Sequence, residues 1–281
     1  MPIDYEVEYD NRARVPEHPE IFARWQREGA AYRAAAQNPT LGIGYGPSSR
    51  RIIDLFPSKD DDTAPLAMFI HGGYWRSLEP SMFSHIAAGL NGRGVTVAVA
   101  GYDLCPHVSI ADIIEQMRSA CLMLWRKRHQ RICIYGHSAG GHLAACMVAQ
   151  DWKAFASDAP GDLVPAAYAI SGLFDLAPLV HCSQNQDLRL DDAEARRVSP
   201  LYWRVPAGRG LDAVVGALES SEFLRQSKTI VESWRQHMAL TRYEAIAGTN
   251  HFTVIDPLSN PDSAMTARVT ALAHSVNNLA L

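Results

Sequence analysis

Short apolar runs alternate with longer segments of helical period along most of this 281-residue chain. The helical segments cover roughly residues 81–92, 110–129, 138–150, 222–237 and 262–278, and the apolar runs read LAMFI, VTVAVAG, RICIYG, AAYAISG, DAVVGAL and TRYEAI. Strands that are apolar throughout are buried on both faces, which is typical of a parallel sheet with helices on each side. The pattern therefore predicts a single α/β domain over residues 1–281, built on a mostly parallel central sheet.

Two stretches depart from this alternation. Residues 1–49 form a polar lead-in with one segment of helical period, Pro19 to Ala36, and the first clear strand signal is RIIDLF at 51–56. Residues 173–210 are long, contain three prolines and carry several aromatic side chains. Because loops of that length are usually functional, we expect a lid-like insertion there. We do not expect a separate domain, since the sheet pattern resumes after it.

The five residues Gly136-His137-Ser138-Ala139-Gly140 fit the pattern G-x-S-x-G, between the strand RICIY and the helical stretch AGGHLAACMVAQ. A sharp turn from strand to helix forces its serine into a strained conformation, so its neighbours must be small. The serine then lies at a helix N-terminus, which favours developing negative charge. The pattern favours Ser138 as a nucleophile. The alternative is a glycine-containing turn with a helix-capping serine.

The strand LAMFI runs into His71-Gly72-Gly73-Tyr74-Trp75. Acyl transfer passes through a tetrahedral intermediate whose negative oxygen is stabilised by pre-aimed backbone N–H groups. Glycines let the backbone approach a substrate closely. We therefore assign Gly72 and Gly73 as oxyanion-hole donors, with Tyr74 as a further candidate and Ala139 as the donor after the serine. No metal-ligand spacing accompanies His71, so we expect no metal site.

Together these two motifs resemble those of the α/β hydrolases, in the hormone-sensitive-lipase-like branch. In that fold the catalytic triad runs in the order serine, acid, histidine, and the histidine follows one of the last strands. Asn250-His251-Phe252 follows TRYEAIAGT, so we assign His251 as the base. His251 would take the proton from Ser138 and later donate it to the leaving group.

The acid is expected just past the strand DAVVGAL, where Glu219 and Glu222 both stand. Glu219 follows the strand end closely, and we prefer it. Glu222 opens the next helix, where a carboxylate is expected for the helix dipole alone. Asp175 is a weaker alternative, and Asp212 lies at the wrong end of the strand. The resemblance implies an aspartate more often than a glutamate, which leaves the acid open.

Within this branch the chain looks most like the kynurenine formamidase (arylformamidase) group. The resemblance covers YDNRARVPEHPEIFARW, YGPSSRRIIDLFP, HGGYWR, GYDLCPHVSI, GHSAGGHLAA, VVGALESSEFLRQS and NHFTVIDPL. Its most discriminating piece is HGGYW, because general esterases of the branch commonly carry HGGG. The resemblance places the triad and oxyanion-hole candidates at the corresponding positions. It implies hydrolysis of N-formyl-L-kynurenine to L-kynurenine and formate.

A pocket for an aryl formamide would need a narrow acyl side and aromatic walls. Tyr74 and Trp75 could narrow the acyl side beside the oxyanion hole. Four further aromatic residues could form the walls for the leaving group, although each is equally explained as core or lid packing: Phe174, Tyr202, Trp203 and Phe252. Arg76 and Arg204 are candidates to bind a substrate carboxylate.

Two other functions remain open from the sequence. A carboxylesterase acting on short acyl or aryl esters would use the same elbow, oxyanion loop and triad. A non-catalytic binding protein on the same scaffold would typically lose a triad residue or the elbow glycines. The chain retains all of these, which argues against the second function.

Composition limits the partners. The net charge is −4 and the one basic cluster is Arg126-Lys127-Arg128, so we expect no nucleic-acid partner. The N-terminal residues are polar and no run of about 18 apolar residues occurs, so we expect neither a signal peptide nor a membrane partner. Five cysteines occur singly, as for free thiols in a reducing compartment. We expect a cytoplasmic enzyme without a cofactor whose partner is a small aromatic amide or ester. A homodimer is left open.

Overall fold

The computed structural model describes residues 3–237 and 239–278. In this part of the chain the strands are β1 (Thr40–Gly44), β2 (Ile52–Phe56), β3 (Leu66–Ile70), β4 (Thr96–Ala100), β5 (Ile132–His137), β6 (Ala166–Ile170), β7 (Gly210–Gly216) and β8 (Leu240–Ile246). The α-helices are α1 (Tyr5–Tyr9), α2 (Asn11–Arg14), α3 (His18–Ala35), α4 (Ala87–Asn91), α5 (Ile110–Arg128), α6 (Ala139–Val148), α7 (Trp152–Phe155), α8 (Asn185–Leu188), α9 (Asp192–Arg197), α10 (Ser221–Arg235) and α11 (Ala264–Asn277). Short 3-10 helices cover Pro80–Ile86, Ala177–His181, Pro200–Tyr202 and Thr253–Ser259.

The strands form one sheet in the order β1-β2-β4-β3-β5-β6-β7-β8. The pairs from β4 through β8 are parallel, whereas β2 pairs antiparallel with both β1 and β4. Every residue of β3, β4 and β6 is buried, as the continuous apolar runs predict. The mostly parallel sheet of the sequence prediction is therefore confirmed.

Helices cover both faces of the sheet. Side chains alternate along β3, so that Met68 and Ile70 join one apolar cluster while Ala67 and Phe69 join the other. Helices α5, α6 and α10 pack into the first cluster, and α3, α4 and α11 into the second. This sandwich of three layers brings the carboxyl ends of β3, β5, β6 and β7 to one edge, where the loops carrying the candidate residues emerge.

The lead-in of residues 1–49 holds more structure than its sequence pattern indicates. The predicted helix at Pro19 to Ala36 is present as α3, but α1, α2 and β1 are additional elements. Strand β1 was not predicted, because TLGIG lies at the sheet edge, is mostly exposed and has a bulge between Thr40 and Ile43. An exposed edge strand with two glycines lacks the apolar pattern by which the buried strands were recognised.

The predicted insertion 173–210 lies between β6 and β7 except for Gly210, which begins β7, and it folds into short helical pieces, α8, α9 and two 3-10 helices. The segment packs on the body of the protein through buried side chains such as Leu176, Leu179 and Val198. A residue outside the segment also holds two of its backbone amides: Gln226 Oε1 accepts hydrogen bonds from the N–H groups of Phe174 and Asp175.

Candidate active site

Ser138 lies in the sharp turn between β5 and α6, with φ 56° and ψ −119°. Its N–H donates to the carbonyl of Ile170 at 2.8 Å, which ties the turn to β6. The flanking glycines are required by contact: a Cβ on Gly136 would lie 2.2 Å from the Gly140 oxygen, and one on Gly140 would lie 1.9 Å from the Ile70 oxygen. Ser138 therefore has a positive φ, a backbone conformation that costs a residue other than glycine about 1–3 kcal/mol. The serine of a nucleophile elbow is held in a strained turn of the same kind.

The loop after β3 has its carbonyl groups fixed by hydrogen bonds. The His71 and Gly72 carbonyls accept from the Tyr102 hydroxyl at 2.9 and 3.3 Å, and the Gly73 carbonyl accepts from Ser77 Oγ at 2.9 Å. His71 itself is fully buried between the rings of Tyr102 and Phe83, and its Nδ1 donates to the Gly72 carbonyl at 2.7 Å. Burial lowers the pKa of His71 to about 4, so the ring is neutral near pH 7.

Glycine is required in this loop by space and by backbone conformation. A Cβ on Gly72 would lie 3.0 Å from Ser138 Cβ, so this peptide passes directly beside the serine. Gly73 has φ 107°, and a Cβ there would lie 2.3 Å from the Ser77 oxygen. Ala139 is the first residue of α6, and the N–H groups of a helix's first turn have no partner within the helix. These backbone groups are where an oxyanion hole for Ser138 would be.

His251 and Glu219 form a buried pair. His251 Nδ1 lies 2.6 Å from Glu219 Oε2, and both side chains are nearly inaccessible to solvent. The histidine ring packs against Phe223 and Phe252 at centroid distances of 4.7 and 5.4 Å. With Nδ1 held by the carboxylate, Nε2 is the nitrogen left to exchange a proton, which is the arrangement of a histidine base with its orienting acid.

The second oxygen of Glu219 is held as firmly as the first. Glu219 Oε1 accepts from Ser171 Oγ at 2.5 Å and from the Gly216 N–H at 2.6 Å. Ser171 is the residue directly after β6 and adopts φ 51°. The ends of β6 and β7 together therefore aim this carboxylate at His251. Sequence reasoning did not identify Ser171, since a serine after a strand carries no distinctive pattern.

The other acids weighed from the sequence lie elsewhere. Glu222 forms two hydrogen bonds with Arg225 and accepts one from the Tyr9 hydroxyl. Asp175 Oδ1 accepts from the backbone of Ala177. Asp212 binds Arg268 from within β7. Glu219 is thus the acid that the fold brings to His251.

His137 links the elbow to the loop that carries His251. Its Nε2 donates to the His251 carbonyl at 2.7 Å, and the two rings lie 4.9 Å apart. Burial, reinforced by the neighbouring His251, lowers the pKa of His137 well below its usual value. A neutral His137 fixes the backbone of His251 without adding a second charge beside the base.

Ser138 and His251 open into one pocket of about 590 Å³, counting its solvent-open mouth. Loop residues after β3 and aromatic rings from the N-terminal helices form much of its wall. The lining residues are Tyr9, Asp10, Asn11, Arg12, Phe22, Trp25, Gly73, Tyr74, Arg76, Ser77, Leu78, His137, Ser138, Gln184, His251 and Phe252. The stretch YDNRARVPEHPEIFARW covers these helices and carries part of the family resemblance, and it was the sequence signal that they belong to the site.

The aromatic residues predicted for the pocket divide into two groups. Tyr74 and Phe252 line it, and the Tyr74 hydroxyl donates to the Tyr9 carbonyl at 2.7 Å. Trp75 follows Tyr74 in a left-handed conformation but turns into the core, where its ring meets His142 edge-on at 4.9 Å. For Trp75 the prediction needs correction, because a buried ring packed on α6 does not reach a substrate.

The prediction that aromatic residues from the segment 173–210 form pocket walls also needs correction. Phe174 is 1% exposed in the core, Tyr202 lies on the surface under Arg196, and Trp203 bonds the Arg197 carbonyl through Nε1. The segment contributes Gln184 to the pocket instead. Of the two arginines, Arg76 lines the pocket while bound to Asp187, whereas Arg204 is exposed outside the lining.

Within residues 3–237 and 239–278, no group of three or more His, Cys, Asp or Glu side chains is placed to hold a metal ion. In the same part of the chain, no helix is both long and apolar enough to span a membrane. All five cysteines are free and buried, and burial raises the pKa of Cys133 to about 12.

Comparisons with known proteins agree with this geometry. A solved structure described as a candidate thioesterase from Silicibacter sp. superposes with a TM-score of 0.86 and 31% identity, covering 96% of this chain and 100% of that one. A kynurenine formamidase from Salmo salar is 28% identical over 250 residues, 85% of this chain and 84% of the relative. One from Drosophila melanogaster is 28% identical over 258 residues, 87% and 85% of the two chains.

A protein-family profile described as the alpha/beta hydrolase fold matches residues 67–252, which is most of the chain and runs from β3 to the loop of His251. Strands β4 to β8, the strained serine after β5 and the Glu219–His251 pair all fall within that range. The chain therefore belongs to the α/β-hydrolase fold family, and it is a hydrolase.

Proposed function

We propose that this hydrolase cleaves an aryl formamide, with N-formyl-L-kynurenine as the substrate and L-kynurenine and formate as the products. The observation that carries the proposal is the pocket at Ser138, whose walls include the aromatic rings of Phe22, Trp25, Tyr74 and Phe252. Such walls suit a flat aryl leaving group. The formamidases from fish and fly that resemble this chain over more than four fifths of its length support the same substrate.

The proposed chemistry uses Ser138 as nucleophile. Its Oγ attacks the formyl carbon while its proton passes to His251 Nε2, and Glu219 orients the ring and stabilises its positive charge. In this proposal the negative oxygen of the tetrahedral intermediate accepts from the N–H groups of Gly72, Gly73 and Ala139, with Tyr74 as a further candidate donor. Each such donor contributes about 3 kcal/mol in enzymes where one has been removed.

Collapse of the intermediate breaks the C–N bond and leaves the formyl group on Ser138 Oγ as an ester. The departing arylamine takes the proton from His251, because an amine leaves poorly as an anion. A water molecule then gives its proton to His251 and attacks the formyl ester, which releases formate and restores the Ser138 hydroxyl. Tyr74 lines the same pocket as Ser138, and in this proposal its ring narrows the acyl side in favour of a small acyl group.

The second candidate is a carboxylesterase or thioesterase, favoured by the 31% identical Silicibacter structure. It would share Ser138, His251 and Glu219, so the two functions differ in substrate and not in catalytic residues.

We place the enzyme in the cytoplasm, where five free and buried thiols remain reduced.

The test measures kcat/KM for N-formyl-L-kynurenine beside p-nitrophenyl acetate and p-nitrophenyl butyrate, with Ser138→Ala as the blank. We expect formylkynurenine to be preferred about a hundredfold or more, a transition-state difference of about 2.7 kcal/mol. Ester turnover with almost no formylkynurenine turnover would leave the hydrolase and discard the formamidase.

A further inference from the structure

Three buried polar side-chain atoms at this pocket find no hydrogen-bond partner among the described residues: Asn11 Nδ2, Trp25 Nε1 and Gln184 Oε1. Their residues are 5%, 1% and 5% exposed. A buried polar atom without a partner costs about 1–3 kcal/mol, so a ligand that supplies a partner to such an atom gains affinity. A pocket that collects three is arranged for a ligand that supplies the missing partners.

The unpaired groups specify what such a ligand carries. The indole N–H of Trp25 donates only, whereas the amides of Asn11 and Gln184 can each present a donor or an acceptor. A ligand matched to all three has hydrogen-bond acceptors at one place and a donor at another. An α-amino-acid group meets this requirement, since its carboxylate accepts and its ammonium donates.

The charges on the same wall point to the same group. Asp10 and Arg12 flank Asn11 in sequence, and all three residues line the pocket. The Arg12 guanidinium lies over the ring of Phe22, 5.8 Å from its centroid, and so stands at the aromatic part of the wall. An anion and a cation on either side of one residue complement a zwitterion better than they complement a group of single charge.

Gln184 is brought to this wall from the segment 173–210. Its Nε2 donates to the Tyr9 carbonyl at 3.5 Å, the same oxygen that accepts from the Tyr74 hydroxyl. With the nitrogen engaged there, Oε1 is the end of the amide left for a ligand. Gln184 therefore adds an acceptor beside the turn that carries Asp10 and Asn11.

We propose that this wall is a specificity subsite for the α-amino-acid group of the substrate. Asn11 and Arg12 take the carboxylate, and Gln184 Oε1 with Asp10 takes the ammonium. Trp25 Nε1 donates to a carbonyl oxygen on the aryl body. The inference rests on the proposed function for the aryl body of the ligand. These residues determine specificity and take no part in bond breaking.

The test uses direct binding and needs no turnover. Titration calorimetry compares L-kynurenine with 2′-aminoacetophenone, which keeps the aryl ketone and lacks the amino-acid group. We expect the wild type to bind L-kynurenine at least about tenfold more tightly, because hydrogen bonds to charged groups are the stronger ones. Asn11→Leu, Arg12→Gln and Gln184→Leu should each remove most of that difference and change Kd for 2′-aminoacetophenone less than about twofold.

Matched controls lie on neighbouring turns. Gln186→Leu removes an exposed amide two residues from Gln184, and Arg14→Gln is the counterpart of Arg12→Gln on α2. The controls should bind both compounds as the wild type does. Equal affinity for the two compounds in the wild type, no measurable binding of L-kynurenine, or a parallel loss of both affinities in the variants would overturn the subsite. Failure of formylkynurenine turnover alone would overturn the proposed function and leave this result standing.

Discussion

Replacing Glu219 by Gln exchanges one oxygen for an NH₂ group, and the surrounding contacts decide where that group goes. In the wild type Oε1 accepts hydrogen bonds from the Gly216 N–H and from Ser171 Oγ. The backbone N–H can only donate, so the atom at this position must be an acceptor. The amide oxygen must remain there, so the NH₂ group faces His251 Nδ1 across 2.6 Å. Two donors then meet, unless the imidazole moves its proton from Nδ1 to Nε2.

That change of tautomer removes the base. An imidazole with its proton on Nε2 cannot accept the proton of Ser138 Oγ, although the site keeps its shape. The corresponding change in a Ser-His-Asp enzyme lowers kcat about 10⁴-fold for this reason. For Glu219→Gln we expect the same loss, which corresponds to about 5.5 kcal/mol of transition-state stabilisation.

The assay measures kcat at saturating substrate together with the rate at which a fluorophosphonate labels Ser138. Both should fall, while the thermal midpoint shows that the fold persists. Glu222→Gln is the control, because this buried carboxylate three residues away holds Arg225 and Tyr9 instead of His251. It should keep kcat within about threefold. A Glu219→Gln enzyme that retains more than a tenth of its kcat would refute the assignment of the acid.

Two further predictions concern stability. Gly140→Ala should destabilise the fold by more than about 3 kcal/mol in urea unfolding, since its Cβ would lie 1.9 Å from the backbone oxygen of Ile70, whereas Gly161→Ala, with 3.6 Å to Lys153, should have little effect. Burial lowers the pKa of His71, His85 and His142 from 6.5 to about 4. The unfolded chain binds more protons in that window, so the free energy of unfolding should fall as pH drops from 6.5 toward 4, and greater stability at pH 5 than at pH 7 would contradict the burial of neutral rings.

The sharp turn at Ser138 and the loop after β3 could be predicted because their requirements are local. A serine between two glycines, with a strand before and a helix after, is recognisable within a dozen residues. The contacts at Gly136, Gly140 and Gly73 show why no larger residue stands there. His251 was assigned from chain order, since loops after successive parallel strands emerge at one edge of the sheet.

The acid and the pocket walls could be predicted only in part. Glu219 and Glu222 lie three residues apart, one before and one after the N-cap of α10. Chain position favoured Glu219 without deciding between them. Contacts with distant residues separate them: His251 binds one carboxylate, and Tyr9 and Arg225 bind the other. A sequence pattern predicts whether a side chain is buried. It does not predict which distant residue that side chain contacts.

The sequence by itself determined the alternation of buried strands and helices, the strained serine and the order of the catalytic candidates, because periodicity and turn geometry are local properties. Only the tertiary structure decided which side chains enclose Ser138. In the folded protein Trp75 and Phe174 are buried in the core, whereas Gln184 from the insertion and residues 9–12 line the pocket. Residues 9–12 lie more than a hundred positions from Ser138 in the sequence. Their place beside it follows from how the helices pack on the two faces of the sheet.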